Sequence, residues 1–295
     1  MKALPRIVDA LAAHLGHSVA SLGHRPVRGG CINDAIALRT DHGTFFVKTN
    51  AAHLPGLFSA EGAGLEAMRA SGTSLVIPEV LGLEDPEPGR PGFLILEMLE
   101  PGRRRADFDA SFGRGLAELH RSGSPAGFGF ARKTYCGTVV QPNAWSDRWI
   151  EFYRDARLGH QLRLAVDDGL FDSAARKLTE RLLARLDDRL DSPSEPPALI
   201  HGDLWSGNLH VTSDGRPALI DPAAYYGHRE AEWGMMMLFG GFDAEVLAAY
   251  QEAYPLAEGW QTRNPLYQLY HVMNHANLFG SGYVPQALGI IRKFA

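Results

Sequence analysis

The pattern of apolar residues changes once along the chain, near residues 97–102, and this change limits the folds that the sequence can adopt. Before it, from Pro26 onward, short apolar runs are separated by turn residues, which is typical of β-strands. After it, apolar residues mostly recur at helical spacing. The segments with helical spacing are 107–121, 146–190 and 228–295. The sequence therefore predicts an α+β protein with a small β-rich part followed by a larger, mainly helical part.

Individual elements of the first part are predicted from periodicity and from the residues that end each run. Apolar residues four apart predict an amphipathic helix that ends at Gly16. Turn residues at Asp41-His42-Gly43 separate two apolar runs, which predicts a hairpin. The predicted elements are helices at 3–16 and 58–70 and strands at 35–38, 45–48, 75–80 and 93–98.

The residues with the most specific chemical pattern lie in the second part of the chain. A His-Gly-Asp sequence ends at Asp203, Asn208 follows five residues later, and Asp221 comes directly after a short apolar strand. Phosphoryl transfer from ATP needs a carboxylate that accepts the proton of the attacking hydroxyl, and it needs oxygen ligands for Mg²⁺. The order and spacing are those of a kinase catalytic loop and metal-binding aspartate. They predict Asp203 as the catalytic base, and Asn208 and Asp221 as ligands of Mg²⁺.

A kinase site also needs a strand lysine that binds the phosphates and a helix carboxylate that pairs with it. Lys48 ends an apolar strand, and Glu61 on the next predicted helix is the preferred partner, with Glu66 as the second choice. A glycine loop before the first of these strands would let backbone N–H groups approach phosphate, and the join between the two parts would offer backbone groups to adenine. The candidate nucleotide-binding residues are Gly29, Gly30, Cys31, Lys48, Glu61, Glu97, Met98 and Leu99.

Other functional classes lack their signatures. No G-x-x-x-x-G-K-[ST] sequence occurs, which excludes a P-loop NTPase, and no G-x-S-x-G elbow occurs. His271 and His275 have the spacing of zinc ligands on a helix. However, valine stands where the glutamate of H-E-x-x-H would be, and no third ligand is evident in the sequence.

Composition adds a few expectations about the setting of the protein. The formal net charge of −5 gives no global attraction to nucleic acid or to an anionic membrane. No run of about 18 apolar residues occurs, so no transmembrane helix is expected. Two cysteines are too few for a disulfide scaffold. We therefore expect a soluble, cytoplasmic protein without nucleic-acid or membrane partners.

These residues resemble those of the fructosamine kinases (ketosamine-3-kinases), a family within the protein-kinase-like superfamily that also contains aminoglycoside and choline kinases. The resemblance spans roughly residues 20–293. The sequence at 201–204, His-Gly-Asp-Leu, is shared with the whole superfamily, and Trp-Ser-Gly-Asn at 205–208 narrows it to this family. The resemblance implies a bilobal protein-kinase-like fold, with an ATP-binding N-lobe at 1–98 and a catalytic and substrate-binding C-lobe at 99–295.

The resemblance also implies an activity, which is ATP-dependent phosphorylation of the 3-hydroxyl of a ketosamine, the Amadori product of a sugar and an amine. The 3-phosphate is unstable and releases the amine, so the family is associated with repair of glycation. Trp205, beside the base, would stack on the substrate, and Glu232 would either anchor the catalytic loop or contact the substrate. The substrate-side candidates implied in this way are Trp205, Tyr226, His228, Glu232 and Asn274.

Several alternatives stay open at this point. The acceptor could instead be another amino alcohol or an aminoglycoside, and a nucleotide-binding sensor switched by Cys31 would need no turnover. The sugar (fructose, ribulose or erythrulose), the amine (free or on a protein lysine) and the oligomeric state (monomer or weak homodimer) are not determined. One departure from the family pattern is Gly234 in the helix after 228, which would loosen that helix by about 0.5–1 kcal/mol relative to alanine.

Overall fold

The helices and strands follow the division that the sequence indicates. The structure, a computed structural model, describes residues 3–27, 33–52, 54–190 and 195–295. The helices are α1 (Leu4–Leu15), α2 (Leu57–Ala70), α3 (Phe108–Arg121), α4 (Trp149–Phe152), α5 (Gly159–Asp167), α6 (Ser173–Leu183), α7 (Leu186–Arg189), α8 (Glu230–Phe239), α9 (Ala244–Ala253), α10 (Trp260–Phe279) and α11 (Val284–Phe294). A π-helical turn at Tyr153–Leu158 joins α4 to α5.

The strands are β1 (Ser21–Pro26), β2 (Asp34–Thr40), β3 (Gly43–Asn50), β4 (Val80–Glu84), β5 (Gly92–Glu97), β6 (Thr134–Cys136), β7 (Val139–Gln141), β8 (Ala198–Ile200), β9 (Leu209–Val211), β10 (Pro217–Leu219) and β11 (Tyr225–Gly227). The first five form one antiparallel sheet in the order β1-β2-β3-β5-β4. The later strands form three short pairs: β6 with β7, β8 with β11, and β9 with β10.

The two faces of the five-stranded sheet have different partners. Because side chains alternate along a strand, Val47 and Ile95 point to the face that α1 covers, where they form a core with Ile7 and Leu11. The neighbouring side chains Phe46 and Lys48 of β3 point to the opposite face and line a cavity. The alternation on β3 therefore places one charged side chain, Lys48, at the inner face of the sheet.

The helices at 3–16 and 58–70 and the hairpin at 41–43 are confirmed, but the strand expected at 75–80 is wrong. The strand of the sheet is β4, which begins only at Val80. The preceding apolar run bridges instead to β10, where the Val76 N–H donates to the Pro217 carbonyl at 3.0 Å. Pro78 has no N–H to extend this pairing. The apolar run therefore joins the sheet part to the helical part rather than adding to the sheet.

Close helix packing explains the glycine at position 234. A Cβ at Gly234 of α8 would lie 2.7 Å from the Tyr267 Cβ of α10, which is closer than carbon atoms pack. Glycine at this position, although expected to loosen α8, therefore permits α8 to pack closely against α10 at Tyr267. Among the helices that the structure describes, none is both long enough and apolar enough to cross a bilayer.

Candidate active site

A cavity of about 590 Å³ lies between the inner face of the sheet and the helical part. It brings together five polar side chains that the sequence singles out, from β3, α2 and the two loops after β8 and β10. These side chains are Lys48, Glu61, Asp203, Asn208 and Asp221. They come from positions up to 173 residues apart, so only the tertiary fold can assemble them.

Lys48 lies at the centre of a buried ion triad. Its Nζ donates to Glu61 Oε1 at 2.6 Å and to an Asp221 carboxylate oxygen. Only 5% of the Lys48 side chain and 10% of the Glu61 side chain are exposed. Burial opposes the charged form of Lys48, but the charges of Glu61 and Asp221 outweigh burial and raise its pKa. Lys48 is therefore a permanent cation facing the cavity, which is what an anionic ligand requires.

The His-Gly-Asp sequence forms a loop whose shape depends on the histidine. His201 Nε2 donates to the Ile220 carbonyl at 2.8 Å, which leaves Nδ1 as an acceptor for the Asp203 N–H at 3.3 Å. Burial lowers the pKa of His201, so the ring stays neutral in this arrangement. Since Ile220 immediately precedes Asp221, His201 connects the loop that carries the candidate base to the residue that carries the candidate metal ligand.

Glycine at position 202 and glutamate at position 232 complete the loop. Gly202 has φ +80°, and a Cβ there would lie 2.3 Å from the Ala223 carbonyl oxygen. The Glu232 carboxylate, on α8, accepts the N–H groups of His201 at 2.5 Å and of Gly202 at 3.1 Å. Of the two roles considered for Glu232, these contacts are those of an anchor for the loop, and Glu232 does not line the cavity.

We expect Glu232→Gln to destabilise the protein. The carboxylate is buried and accepts two backbone N–H groups, whereas an amide can accept through only one of its two polar atoms. Loss of one charge-assisted hydrogen bond in a buried site predicts a decrease of roughly 1.5–3 kcal/mol in the free energy of unfolding. Urea unfolding measures this decrease. Glu252→Gln, at an exposed position of α9, is the control and should change stability by less than about 0.5 kcal/mol; an equal effect of both variants would contradict the anchor.

The Asp203 side chain faces the cavity in an environment that favours its protonated form. Burial, with the negative charges of Asp221 and Glu232, raises the pKa of Asp203 to about 8. The thiol sulfur of Cys136 lies within 4.8 Å of an oxygen of the same carboxylate. A raised pKa is typical of carboxylates that exchange protons with substrates.

The donor atoms around Asp221 fit a magnesium ion. Asn208 Nδ2 donates to the Asp203 carbonyl at 2.8 Å, so the other side-chain atom of Asn208, its amide oxygen, is the acceptor available to a cation. Asp221 has φ +57°, an uncommon left-handed conformation for a residue other than glycine. An amide oxygen and a carboxylate that line one cavity are ligands that Mg²⁺ prefers.

Trp205 lies beside Asp203, lines the cavity and is 43% exposed. Its indole covers Gly207, where a Cβ would lie 2.3 Å from the ring. Ser206 packs in turn against Gly241, where a Cβ would lie 2.7 Å from the serine hydroxyl. The Trp-Ser-Gly sequence thus holds the indole face in place because both glycines lack side chains.

The remaining predicted residues lie in different places. Asn274 lines the cavity, but Tyr226 and His228 do not. The His228 ring is buried and stacks on Tyr267 with 6.0 Å between ring centroids. Tyr226 packs near Trp145, with 6.1 Å between centroids. This geometry therefore does not support a direct substrate contact for Tyr226 or His228.

The nucleotide-binding candidates outside the triad are less well placed. The Glu97 side chain lines a separate, open depression of about 860 Å³ and accepts the Glu79 N–H at 3.3 Å. Met98 and Leu99 are half-buried and do not line the cavity. That the backbone groups of Glu97, Met98 and Leu99 contact adenine stays a prediction. The glycine loop with Gly29, Gly30 and Cys31 lies outside the described residues.

One group of cavity residues, which are aromatic, has no signature in the sequence. Phe239, Phe279 and Tyr283 surround His275, with ring centroids 4.9, 5.5 and 5.3 Å from the imidazole. All four line the cavity, and Phe279 is 62% exposed. They come from α8, α10 and the turn before α11, so no local sequence pattern indicates that they meet.

Comparison with known proteins agrees with this geometry. The fructosamine kinase family profile matches residues 3–295. A protein named protein-ribulosamine 3-kinase, chloroplastic, from Oryza sativa subsp. indica is 41% identical over 281 residues, which cover 95% of this chain and 80% of the relative.

Two solved structures show similar folds. A Thermobifida fusca protein assigned as a fructosamine-3-kinase has a TM-score of 0.85 and 33% identity, with 97% of each chain covered. An aminoglycoside phosphotransferase in a ternary complex with AMP-PNP and hygromycin B has a TM-score of 0.63 and 16% identity, with 98% of this chain and 99% of that chain covered, and shares the fold alone. The predicted bilobal, protein-kinase-like α+β fold is therefore confirmed, and the chain belongs to the fructosamine kinase family.

Proposed function

We propose that the protein is a ketosamine 3-kinase that transfers the γ-phosphoryl group of ATP to the 3-hydroxyl of an Amadori product. The observation that carries this proposal is the convergence of Lys48, Asp203, Asn208 and Asp221 on one cavity in a chain of the fructosamine kinase family. Phosphorylation at that position would lead to release of the amine, and hence to repair of glycation. Family membership disfavours the alternative acceptors, aminoglycosides and choline.

Each polar residue of the cavity would have a different role in phosphoryl transfer. The Lys48 ammonium, which Glu61 holds in place at 2.6 Å, would contact phosphate oxygens and stabilise negative charge on them. The Asp203 carboxylate would orient the attacking hydroxyl and accept its proton. Mg²⁺ bound by Asn208 and Asp221 would neutralise charge on the triphosphate and favour the unprotonated form of Asp203.

The substrate side of the cavity is apolar and aromatic. The Trp205 indole would stack on the carbon-bound face of the sugar, next to the base. The group of Phe239, His275, Phe279 and Tyr283 offers apolar surface that suits the alkyl chain of an amine such as lysine. Ketosamines on the ε-amine of free lysine and on glycated lysines of proteins both have such a chain, so the choice between them needs a direct comparison.

We expect Trp205→Ala to lower kcat/KM for the ketosamine and to leave KM for ATP unchanged. Loss of one large apolar contact of about 1.5–3 kcal/mol corresponds to a decrease of roughly 10- to 150-fold. Steady-state kinetics with each substrate varied in turn measures the effect. Trp205→Phe should recover most of the activity. Trp145→Ala, at a tryptophan that is 41% exposed and does not line the cavity, is the control; a similar loss there would contradict stacking by Trp205.

The activity itself is tested by ADP release with MgATP and one of four acceptors: ribulose-lysine, fructose-lysine, kanamycin or choline. Asp203→Asn serves as the blank. The proposal predicts turnover with the ketoamines only, and the ratio of their rates ranks the sugars. Turnover with kanamycin or choline alone would overturn it.

Three further expectations stay predictions: a cytoplasmic location, a monomeric or weakly dimeric state, and the division into lobes at 1–98 and 99–295. The rice relative is named as chloroplastic.

A further inference from the structure

Three side chains with different donor atoms meet beside the cavity. Cys136 ends β6, Asp203 lies in the loop after β8, and His271 lies in α10. The thiol sulfur, a carboxylate oxygen and an imidazole nitrogen all lie within 4.8 Å of one another. Cys136 and Asp203 also line the cavity, so a small ion can reach the group from the side where substrates would enter.

His271 is a buried side chain with a polar atom left without a partner. It is 4% exposed, and its Nδ1 has no hydrogen-bond partner among the described residues. Burial lowers the pKa of His271 to about 3, so the ring is neutral and one ring nitrogen carries a free lone pair. The other histidine of the i, i+4 pair, His275, is not part of this group; its Nδ1 donates to the His271 carbonyl at 2.7 Å.

Cys136 is held in position by a chain of buried amides. Asn274 Nδ2 donates to Cys136 Sγ at 3.2 Å and to its carbonyl at 3.3 Å. Gln161 Nε2 fixes Asn274 by donating to its amide oxygen at 2.9 Å. Burial and the negative charge of Asp203 raise the pKa of the Cys136 thiol well above its usual range, and the positive charge of the buried Arg157 opposes them only in part. The sulfur is thus held in place as a thiol that a cation can convert to a thiolate ligand.

We propose that Cys136, Asp203 and His271 form a binding site for a thiophilic divalent cation of the zinc class, separate from the magnesium ligands, and that its occupation inhibits the enzyme. A set of thiolate, imidazole and carboxylate suits Zn²⁺, whereas Mg²⁺ prefers oxygen ligands. Three protein ligands leave a fourth position for water. The thiol proton, and the proton of the Asp203 carboxyl group where it is present, are released to solvent when the Zn–S and Zn–O bonds form.

Inhibition follows from the identity of one ligand, and this part rests on the proposed function. A carboxylate that coordinates a cation does not accept a proton from the substrate hydroxyl, so an ion bound to Asp203 removes the base. The ion would therefore block turnover even with saturating MgATP. Metal binding itself does not depend on the proposed reaction and can be measured without nucleotide or sugar.

The test is a titration of the full-length, metal-free protein with Co²⁺ as a spectroscopic substitute for Zn²⁺. We expect a thiolate-to-cobalt charge-transfer absorption that saturates at one ion per chain and disappears when Zn²⁺ is added. Cys136→Ser should abolish the band, and His271→Gln should weaken binding at least tenfold. Cys31→Ala is the matched control, since it removes the only other cysteine of the chain, and it should keep the band. Asp221→Asn, which removes a candidate magnesium ligand, should also keep it.

The proposal would be overturned if wild-type protein gave no thiolate band, if His271→Gln bound Co²⁺ as tightly as wild type, or if Cys31→Ala lost the band. A second measurement compares turnover with and without Zn²⁺ in each variant, so that differences in basal rate cancel. Zn²⁺ should inhibit wild type and Cys31→Ala strongly and His271→Gln at least tenfold less. The wild-type protein could bind Co²⁺ and yet have no ketosamine kinase activity in the absence of zinc. That result would contradict the proposed function but not the proposed metal site.

Discussion

Asp203→Asn is expected to lower turnover of the ketosamine by roughly 10²- to 10⁴-fold, the range typical of losing a general base. The asparagine keeps the size of the side chain but does not accept the proton of the 3-hydroxyl. Binding of MgATP should persist, because Lys48, Asn208 and Asp221 remain. Single-turnover kinetics separates the chemical step from binding, and equilibrium titration with a non-hydrolysable ATP analogue measures the nucleotide.

The same variant should not be less stable than wild type, which distinguishes a lost base from a lost fold. Burial, with the carboxylates of Asp221 and Glu232, disfavours the charged form of Asp203, so a neutral amide removes a repulsive group. Thermal unfolding of the two proteins makes this comparison. Turnover within a few fold of wild type would remove Asp203 from the role of base.

Lys48→Met is expected to affect both activity and stability strongly. Losing a preorganised cation at the phosphates should lower kcat/KM for ATP by about 10²- to 10³-fold, the range measured for single transition-state donors. Removing the lysine also leaves the Glu61 carboxylate, 10% exposed, without its cation. Breaking a buried ion pair in this way costs roughly 3–5 kcal/mol of stability.

A double variant separates the two effects of Lys48. Lys48→Met combined with Glu61→Leu replaces both buried charges by apolar side chains, which is often neutral for stability. We expect chemical denaturation to show most of the lost stability restored, while turnover stays as low as in the single variant. Restored turnover in the double variant would contradict a role of Lys48 at the phosphates.

The parts of the fold that the sequence predicts are those with a strong local pattern. The amphipathic α1, the hairpin of β2 and β3, and α2 follow directly from apolar spacing and turn residues. The run at 75–80 has an equally strong apolar pattern, yet it bridges to β10. The apolar residues of this run predict that it is buried. They do not predict which strand it pairs with, because that depends on the tertiary fold.

The candidate site is likewise predictable from the sequence only in part. Phosphoryl transfer requires particular side chains at set positions of one loop and two strands. The sequence therefore predicts Lys48, Asp203, Asn208 and Asp221. The sequence does not connect Cys136 with Asp203, because the two residues are 67 positions apart and only the tertiary fold brings their side-chain atoms within 4.8 Å of each other. The aromatic group around His275 likewise depends on the contact between α8, α10 and the turn before α11.

The position of the phosphate in the product tests the central claim most directly. The purified protein would be incubated with MgATP and ribulose-lysine or fructose-lysine, and the reaction followed by ³¹P and ¹H NMR, with Asp203→Asn as the blank. The account predicts a phosphate on carbon 3 of the sugar, followed by the appearance of free lysine as that product decays. A stable phosphate on any other hydroxyl, or ADP formed without a phosphorylated ketosamine, would contradict it.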